Sequence, residues 1–371
     1  MSTSPWRASA VATIDAAICP RIPLIGANDV RPLLPGVDLW DLWPVQARDG
    51  QTARIAGGEL FLLLSAPALP DPEDRHAVAR IRLMHRVADD WRDLGPLLPE
   101  GFAPGSREWA GSTVISDDGC IVTLYFTAAG ARGEREVSFQ QRLFETQGRL
   151  LVTAGVPTLT DWTAPVESVA PDGVIYVREM TGGGAVGTIK AFRDPAWFRD
   201  PADGAEYLLF TGSLAQSTSD WNGAVGIARR VDDRWTLLPP IITADGLNNE
   251  LERPHIVMHG HRYHCFWSTQ HKVFAAGGPA GPNGLYGMVA DTIMGPWRPL
   301  NDSGLVLANP LEAPFQAYSW LVLADLSVLS FADMVGLKEP PANAAQARAH
   351  FGGAPAPVVQ LRIEGDRAWL A

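Results

Sequence analysis

The sequence has few cysteines, no excess of basic residues and no long apolar run, and each absence narrows the class of protein. Its 371 residues include only three cysteines, Cys19, Cys120 and Cys265, with no two at the spacing of a metal-binding pair. A disulfide framework or a structural zinc site is therefore not expected. Cys120 and Cys265 lie in apolar runs, so both are predicted to be buried as small apolar side chains.

The charge balance is acidic, with 30 Lys and Arg against 41 Asp and Glu and a formal net charge of −11. A protein that binds nucleic acid through its phosphates needs a basic surface, so a nucleic-acid partner is not expected. An acidic surface is compatible with a neutral substrate such as a sugar, although it does not argue for one.

No stretch of the chain approaches the roughly 18 uninterrupted apolar residues of a membrane-spanning helix. The longest apolar stretch, residues 321–334, contains Asp325 and Asp333, so it is predicted to form strands and no membrane partner is expected. The N-terminus carries Arg7 ahead of a weak apolar stretch that Asp15 interrupts. It shows no conventional signal peptide.

Long amphipathic helical patterns are nearly absent, whereas short apolar segments recur along the whole chain. Turn-forming pairs such as Asp118-Gly119 separate them, as in chains of many short strands. One short helix is predicted over residues 342–350, and the glycines at 182–184 are predicted to form a surface loop. Strands are predicted over residues 59–65, 80–87, 113–116, 121–128, 137–146, 150–156, 206–212, 223–231, 255–259, 262–269, 284–289, 320–323, 327–331 and 358–364.

Many antiparallel hairpins in one long chain favour an all-β fold, which can be a sandwich, a barrel or a propeller. A turn followed by an apolar strand with a polar end recurs at residues 117–127, 203–211 and 259–268, although its period is too irregular to count propeller blades. No linker divides the chain. We therefore predict one domain over residues 31–371, preceded by an N-terminal arm or cap at residues 1–30.

Four acidic clusters lie beside aromatic or arginine residues: DLWDLWP at residues 38–44, REWAGS at 107–112, FRDP at 192–195 and NELERPH at 249–255. Taken singly, each acid is more often a solvated turn residue or half of a weak surface salt bridge. Taken together, they contain the parts that cleavage of a glycosidic bond with retention requires. These parts are a carboxylate that attacks and a carboxyl group that acts first as acid and then as base.

In this order, the clusters resemble the signatures of glycoside hydrolase family 68, which comprises levansucrases, inulosucrases and bacterial invertases. The resemblance runs from about residue 37 to residue 334, and family-like segments follow at 283–287, 295–301 and 316–319. It implies a single-domain five-bladed β-propeller with the active site in its central funnel. It also implies a fructosyltransferase that takes sucrose as donor and fructo-oligosaccharide or levan as acceptors, without a cofactor.

The resemblance further implies roles for individual residues. Asp41 is the expected nucleophile, Asp194 the transition-state stabiliser and Glu252 the acid/base, for which Glu252 needs a raised pKa. An irregular strand is expected at Asp41, because neighbours in a regular strand do not point the same way. The expected substrate-binding residues are Trp40, Trp109, Arg193, Glu250, Arg253, His271 and Tyr318.

Three positions depart from the general family pattern. Ala110 stands where a serine hydroxyl contacts the nucleophile in other members, and this loss is predicted to raise the pKa of Asp41. Asn249 replaces the Asp of calcium-binding members, so no metal site is predicted. His271 replaces the acceptor-side Arg of Gram-positive members, a pattern that resembles the Gram-negative branch.

The main alternative is an invertase of the same family, which uses the same carboxylates but passes the fructosyl unit to water. A catalytically silent carbohydrate-binding propeller is less favoured, because Asp41, Asp194 and Glu252 are all present. A propeller glycosidase acting on arabinosides or fructans is also less favoured. The resemblance implies an extracellular or periplasmic location, while the lack of a visible signal peptide leaves a cytoplasmic location open.

Overall fold

The structure is a computed structural model that describes residues 3–180 and 186–371. The predicted surface loop at 182–184 lies outside these residues. The described chain is all-β, as predicted, with only short helices such as α1 (Ala8–Val11) and α2 (Ala344–His350). The second of these confirms the predicted helix at 342–350. None of the helices in the described residues is long and apolar enough to cross a membrane.

Apart from the N-terminal strand β1 (Ser4–Pro5), the strands form successive antiparallel units of four, with a few short strands attached. In the first unit β2, β4, β5 and β6 pair in that order, and β3 joins β4. In the second unit β7 to β10 pair in order, and β11 joins β9. The bounds are β2 (Val37–Gln46), β3 (Arg54–Ile55), β4 (Gly58–Pro67), β5 (Arg80–Val87), β6 (Asp90–Pro96), β7 (Arg107–Ile115), β8 (Ile121–Ala129), β9 (Gln141–Thr153), β10 (Val156–Thr160) and β11 (Val166–Val169).

The third, fourth and fifth units repeat this arrangement. Strands β12 to β15 form the third unit, β16 to β19 the fourth with β20 on β18, and β21, β22, β24 and β25 the fifth with β23 on β22. The bounds are β12 (Phe192–Arg199), β13 (Glu206–Ser213), β14 (Gly223–Val231), β15 (Arg234–Thr243), β16 (Glu252–His259), β17 (Arg262–Thr269), β18 (Gly284–Ala290), β19 (Arg298–Pro299), β20 (Leu305–Ala308), β21 (Ala317–Val322), β22 (Ser327–Met334), β23 (Phe351–Pro355), β24 (Val359–Glu364) and β25 (Arg367–Leu370).

The first strand of each unit, here called the inner strand, contacts the first strand of the next unit. The order is β2, β7, β12, β16, β21 and back to β2. Strands β2 and β7 are also hydrogen-bonded as a parallel pair, with Val45 opposite Thr113. The inner strands therefore surround one central space.

Burial falls from the second strand of a unit to the last. Strand β4 is buried at nearly every position, so its sequence GELFLLLSAP reads as a continuous apolar run rather than an alternating one. The outermost strand of the same unit, β6, contains only exposed and half-buried residues. The apolar core therefore lies where the faces of neighbouring units pack together.

The sequence predicted some strands well and others poorly. The predicted bounds of β5, β14 and β17 coincide with the observed ones. The predicted strand at 150–156 is wrong, because a turn with positive φ at Ala154 and Gly155 separates β9 from β10 there. Cys265 is buried as predicted, but Cys120 is exposed, because it lies in the turn between β7 and β8.

The N-terminal arm ties three units together. Strand β1 pairs in parallel with the outermost strand of the third unit, with Ser4 opposite Ile242. Trp6 is buried against the fourth unit, where its ring lies 5.3 Å from that of Trp267 and its indole Nε1 donates to the carbonyl of Ser303 at 2.9 Å. The Ile25 N–H then donates to Gln316 at 2.9 Å, just before the fifth unit.

Replacing Trp6 with alanine is expected to lower the free energy of unfolding by about 3 to 5 kcal/mol, because buried aromatic contacts are lost and a cavity is left in their place. Urea unfolding followed by far-UV circular dichroism measures this loss. The control is Ile18→Ala in the same arm, where the side chain is 80% exposed and about 0.5 kcal/mol or less is expected. Equal stabilities of the two variants would show that the arm does not fasten the units.

Candidate active site

Every inner strand carries an irregularity at the residues predicted to form the site. The register shifts after Trp40, Trp109, Arg193, Glu252 and Tyr318. Such bulges break the alternation of side chains between the two faces of a strand, so consecutive residues point into the same space. The irregularity expected at Asp41 is therefore confirmed.

Four of the inner strands have a non-glycine residue with positive φ at the bulge. They are Asp41, Asp194, Arg253 and Ser319, with φ between 35° and 61°. This conformation is unfavourable for residues with a side chain and is held by its surroundings. In β7 the bulge instead presses Gly111 against β8, where a Cβ atom would lie 1.9 Å from the carbonyl oxygen of Tyr125. The glycine of the REWAGS cluster is therefore required by packing.

The bulged residues line a central cavity of about 980 Å³. All of the predicted site residues lie on its wall: Trp40, Asp41, Trp109, Arg193, Asp194, Glu250, Glu252, Arg253, His271 and Tyr318. A second cavity of about 610 Å³ shares only Asp194 and Arg253 with the first. The structure thus brings together, from all five inner strands and nearby loops, the residues that the sequence predicted to act together.

The buried guanidinium group of Arg193 lies at the centre of the acidic residues. Its Nη2 atom contacts Glu250 and lies 2.7 Å from Oε1 of Glu252, while its Nε atom lies 3.4 Å from Oδ2 of Asp194. Burial by itself would lower the pKa of Arg193, but the charges of these three carboxylates raise it well above its ordinary value. One guanidinium group thus forms ion pairs with three carboxyl groups.

Asp41 lies on β2, and its carboxyl group interacts with the charge of Arg253. Burial raises the pKa of Asp41, and the charge of Glu252 adds to this, whereas Arg253 and a hydrogen bond from Ser319 oppose it. Arg253 also donates to Ser319 Oγ at 2.8 Å and to the carbonyl of Leu42 at 2.9 Å. Ser319 was missed by the sequence interpretation, which noted its segment but not its hydroxyl.

Asp194, on β12, is held at both its backbone and its side chain. Its N–H donates to Oγ1 of Thr127 at 2.8 Å, and its Oδ2 atom accepts from the hydroxyl of Thr211 at 2.9 Å. Burial raises the pKa of Asp194 to about 6, with Arg193 opposing the shift and Glu252 adding to it. This carboxyl group is therefore ionised at neutral pH but within reach of protonation in mild acid.

Glu252 and Glu250 both contact the Nη2 atom of Arg193, whereas Asp194 lies beside its Nε atom. The hydroxyl group of Tyr318 donates to Oε2 of Glu252, so both carboxylate oxygens have a partner. Burial and the charge of Glu252 raise the pKa of Glu250 to about 7. The cavity therefore holds a proton close to Glu252 near neutral pH.

The aromatic wall consists of Trp40 and Trp109 with the ring of His76 between them. The His76 ring meets both indoles edge-on, at centroid distances of 6.0 and 6.4 Å. Trp109 donates from Nε1 to the carbonyl of His76 at 3.2 Å, and the guanidinium group of Arg75 lies 5.5 Å from the Trp40 ring. Arg75 and His76 come from a 3₁₀ helix at Pro72–Ala77, and no motif in the sequence marked them.

His271 lies at the exposed edge of the cavity, in a 3₁₀ turn at His271–Val273. Its N–H donates to Oδ1 of Asn283 at 2.7 Å, and its ring Nδ1 lies 3.0 Å from the carbonyl of Gly281. These contacts fix the ring at the mouth of the cavity. Lys272 and Asp333 also line the cavity and were not singled out from the sequence.

The departures at Ala110 and Asn249 have different consequences. Ala110 is buried and offers no hydroxyl to Asp41; burial is the largest cause of the raised pKa of Asp41, so the predicted effect of the missing hydroxyl stays a prediction. The amide of Asn249 accepts from the Gly187 N–H at 2.9 Å and donates to the carbonyl of Asp220 at 2.7 Å. An aspartate cannot make the second bond, so this position suits an amide. The absence of a metal site stays a prediction.

Paired carboxyl groups around an arginine, with an aromatic wall, define an enzyme that acts on glycosidic bonds. The family comparison agrees with this class. The chain belongs to glycoside hydrolase family 68, the levansucrase/invertase family, whose model matches residues 6–222 and 216–371.

Relatives and solved structures of this family cover nearly the whole chain. A levansucrase, LscC, from Pseudomonas savastanoi pv. glycinea is 32% identical over 94% of this chain and 86% of its own length, which fits the Gram-negative branch. An inulosucrase from Halalkalicoccus jeotgali bound to kestose is 35% identical, with a TM-score of 0.90 over 100% of this chain and 95% of that one. A levansucrase from Gluconacetobacter diazotrophicus is 26% identical, with a TM-score of 0.85 over 100% and 90%.

The raised pKa of Glu250 has a consequence for stability. In the folded chain the pKa of Glu250 is about 7, against 4.5 for an ordinary glutamate, so this group costs stability as pH rises from 4.5 to 7. The cost reaches up to about 3 kcal/mol. Since glutamine stays neutral, Glu250→Gln is expected to gain stability relative to the wild type over this range.

Urea unfolding of both proteins at several pH values between 4.5 and 7.5 measures this difference. The control is Glu364→Gln, which removes an exposed carboxylate that lies in water whether the chain is folded or not. For the control we expect a difference that does not change with pH. A constant difference for Glu250→Gln as well would mean that Glu250 holds no proton in the fold.

Proposed function

We propose that this protein is a levansucrase-type fructosyltransferase, which cleaves sucrose and transfers the fructosyl unit to sugar acceptors or to water. The observation that carries the proposal is the convergence of Asp41, Asp194 and Glu252 on one cavity beside Arg193. The levansucrase relatives and the neighbour solved with kestose support this substrate class. Fructo-oligosaccharides and levan are the proposed acceptors.

We also propose that the strand units are the blades of a five-bladed β-propeller with the active site in its central funnel. The cyclic contacts of the inner strands and the likeness to solved family members support this. Residues 31–371 are the proposed catalytic domain and residues 1–30 its arm. The family resemblance is the basis for proposing an extracellular or periplasmic place of action.

In the first step, a carboxylate oxygen of Asp41 attacks the anomeric carbon of the fructosyl unit. The bond from that carbon to the glucosyl oxygen breaks, and Glu252 gives its proton to the departing oxygen. Asp194 accepts hydrogen bonds from fructosyl hydroxyls and offsets the positive charge that develops on the ring. Arg193 contacts both Asp194 and Glu252 and so fixes their relative positions, and Trp40 and Trp109 form the wall beside the sugar.

In the second step, Glu252 takes a proton from the incoming hydroxyl group, whose oxygen attacks the anomeric carbon and displaces Asp41. The acceptor is a sugar in transfer and water in hydrolysis. Glu250 and His271 lie on the proposed acceptor side, and Tyr318 and Arg253 position Glu252 and Asp41. The invertase alternative uses the same steps with water as the main acceptor.

Incubation of the purified protein with sucrose, with glucose and fructose measured separately, tests the function. An excess of glucose over fructose is expected, because transferred fructosyl units are not released.

Asp41→Asn is expected to lower sucrose cleavage by about three orders of magnitude or more, because the covalent step is lost. Glu252→Gln is expected to lower it by about 10²- to 10⁴-fold, because general acid–base catalysis is lost.

The matched control is Asp117→Asn, in the turn before β8, where the carboxylate is 84% exposed and no loss is expected. Circular dichroism and urea unfolding confirm that each variant is folded. Cleavage near the wild-type rate in either site variant would remove that residue from its proposed role. A wild-type protein that releases neither sugar would overturn the substrate assignment.

His271 is expected to influence the choice between acceptors. Because its ring is fixed at the mouth of the cavity, His271→Ala weakens the hold on a sugar acceptor without changing access for water. The ratio of glucose to fructose released at high sucrose is expected to fall towards one. His261→Ala, at an exposed turn of the same unit, is the control. An unchanged ratio in His271→Ala would place the acceptor elsewhere.

A further inference from the structure

Three fully buried hydroxyl side chains occupy equivalent positions on the second strands of the second, third and fourth units. Each lies directly across from the inner-strand residue that precedes the bulge. The pairs are Thr127 on β8 opposite Trp109, Thr211 on β13 opposite Arg193, and Ser268 on β17 opposite Glu252.

Each of these hydroxyl oxygens accepts a backbone N–H from the inner strand of the next unit, at or beside its bulge. The donors are the N–H groups of Asp194 to Thr127 at 2.8 Å, of Arg253 to Thr211 at 3.1 Å and of Trp320 to Ser268 at 2.9 Å. The three hydroxyls therefore connect neighbouring units at the strained residues around the cavity.

The three differ in where the hydroxyl proton goes. Thr127 donates to the carbonyl of Ala110 at 3.1 Å, and Ser268 is 3.4 Å from the carbonyl of Trp320. Thr211 instead donates to a side chain, Oδ2 of Asp194, at 2.9 Å. A hydroxyl group has one proton, and the Arg253 N–H must be the donor to Thr211, so that proton is directed to Asp194. Oδ2 is therefore an acceptor.

We propose that Thr211 is a positioning residue for the reaction, whose single hydroxyl holds Asp194 as an ionised acceptor and ties it to the bulge that places Glu252. This inference rests on the proposed function. Two things follow from one bond network: the orientation of the Asp194 carboxylate, and its separation from the acid/base on the next strand.

The charges around Asp194 make this donor important. Arg193 and Arg253 favour the ionised carboxyl group, whereas Glu252 and Asp41 disfavour it together with burial. A neutral donor bonds more strongly to a carboxylate than to a protonated carboxyl group, so it shifts this balance towards ionisation. Its removal disfavours the ionised form, so the pKa of Asp194, already raised to about 6, is expected to rise further.

The experiment compares Thr211→Val, which keeps the shape but loses the hydroxyl, with Thr211→Ser, which keeps it. For Thr211→Val, the acid limb of the pH profile of kcat/KM with sucrose is expected to move up by about one pH unit. Its kcat at pH 7 is expected to fall about tenfold. Thr211→Ser is expected to keep the wild-type acid limb. Should Thr211→Val fail to fold, Thr211→Cys, with a weak donor, replaces it and is expected to show a smaller upward move.

The control is Ser268→Ala, which removes the equivalent hydroxyl of the next unit. That hydroxyl has no bond to a carboxylate, so a loss of stability is expected without a move of the acid limb. An unmoved acid limb in Thr211→Val, or an equal move in Ser268→Ala, would reduce Thr211 to a purely structural residue and overturn the proposal.

A second readout does not depend on sucrose. If the pKa of Asp194 rises in Thr211→Val, this variant loses stability relative to the wild type as pH rises. The ratio of its unfolding equilibrium constant to that of the wild type is then expected to be about tenfold larger at pH 8 than at pH 5. No such divergence is expected for Ser268→Ala. A wild-type protein without sucrose cleavage but with this divergence would overturn the proposed function and leave the link between Thr211 and Asp194 standing. Parallel stability curves would overturn the link itself.

Discussion

The rest of the site depends on the ion pairs that the guanidinium group of Arg193 makes with three buried carboxyl groups. Buried carboxylates repel one another and lose hydration, so three of them stay together only around a buried cation. With Asp41 and Arg253 added, the cavity still holds more acids than guanidinium groups. Burial raises the pKa of Asp194 and Glu250, and the charge of Glu252 adds to both shifts, so that Glu250 keeps a share of its proton near neutral pH. The proposed two-carboxylate mechanism needs one acid ionised and one protonated, so the carboxyl groups around Arg193 must differ in their affinity for a proton.

The bulges in the inner strands place these charged side chains in the cavity. Each inner strand leaves the regular alternation at the point where it reaches the cavity, and four of them do so through a non-glycine residue with positive φ. Such residues cost about 1 to 3 kcal/mol each, so neighbouring elements must hold them. The buried hydroxyls on the second strands supply part of that support, because they accept N–H groups that the bulges leave without a ladder partner. The same hydrogen bonds therefore join neighbouring units and hold the bulges that place the site residues.

The sequence predicted a set of residues that share one cavity, but it predicted the strands that carry them badly. Motif order identified Asp41, Asp194 and Glu252, but β2 and β12 were not predicted, and β7, β16 and β21 were predicted to begin too late. These are the five inner strands. In all of them except β21, the first residues include buried charges, which interrupt the apolar alternation by which strands are recognised. The charges are tolerated only because of partners far away in the chain, such as Glu250 for Arg193, and periodicity carries no signal for these.

Arg253 shows how one residue orients two acids of the site at once. Its backbone N–H occupies the oxygen of Thr211, and its guanidinium group occupies the oxygen of Ser319 at 2.8 Å. Each hydroxyl still has its own proton to donate, and these protons are directed to Asp194 and Asp41 respectively. Asp41, the proposed nucleophile, thus has a hydroxyl donor that does not depend on position 110, which is an alanine. Because both donors are aligned by the same residue, a change at Arg253 would disturb both carboxylates together.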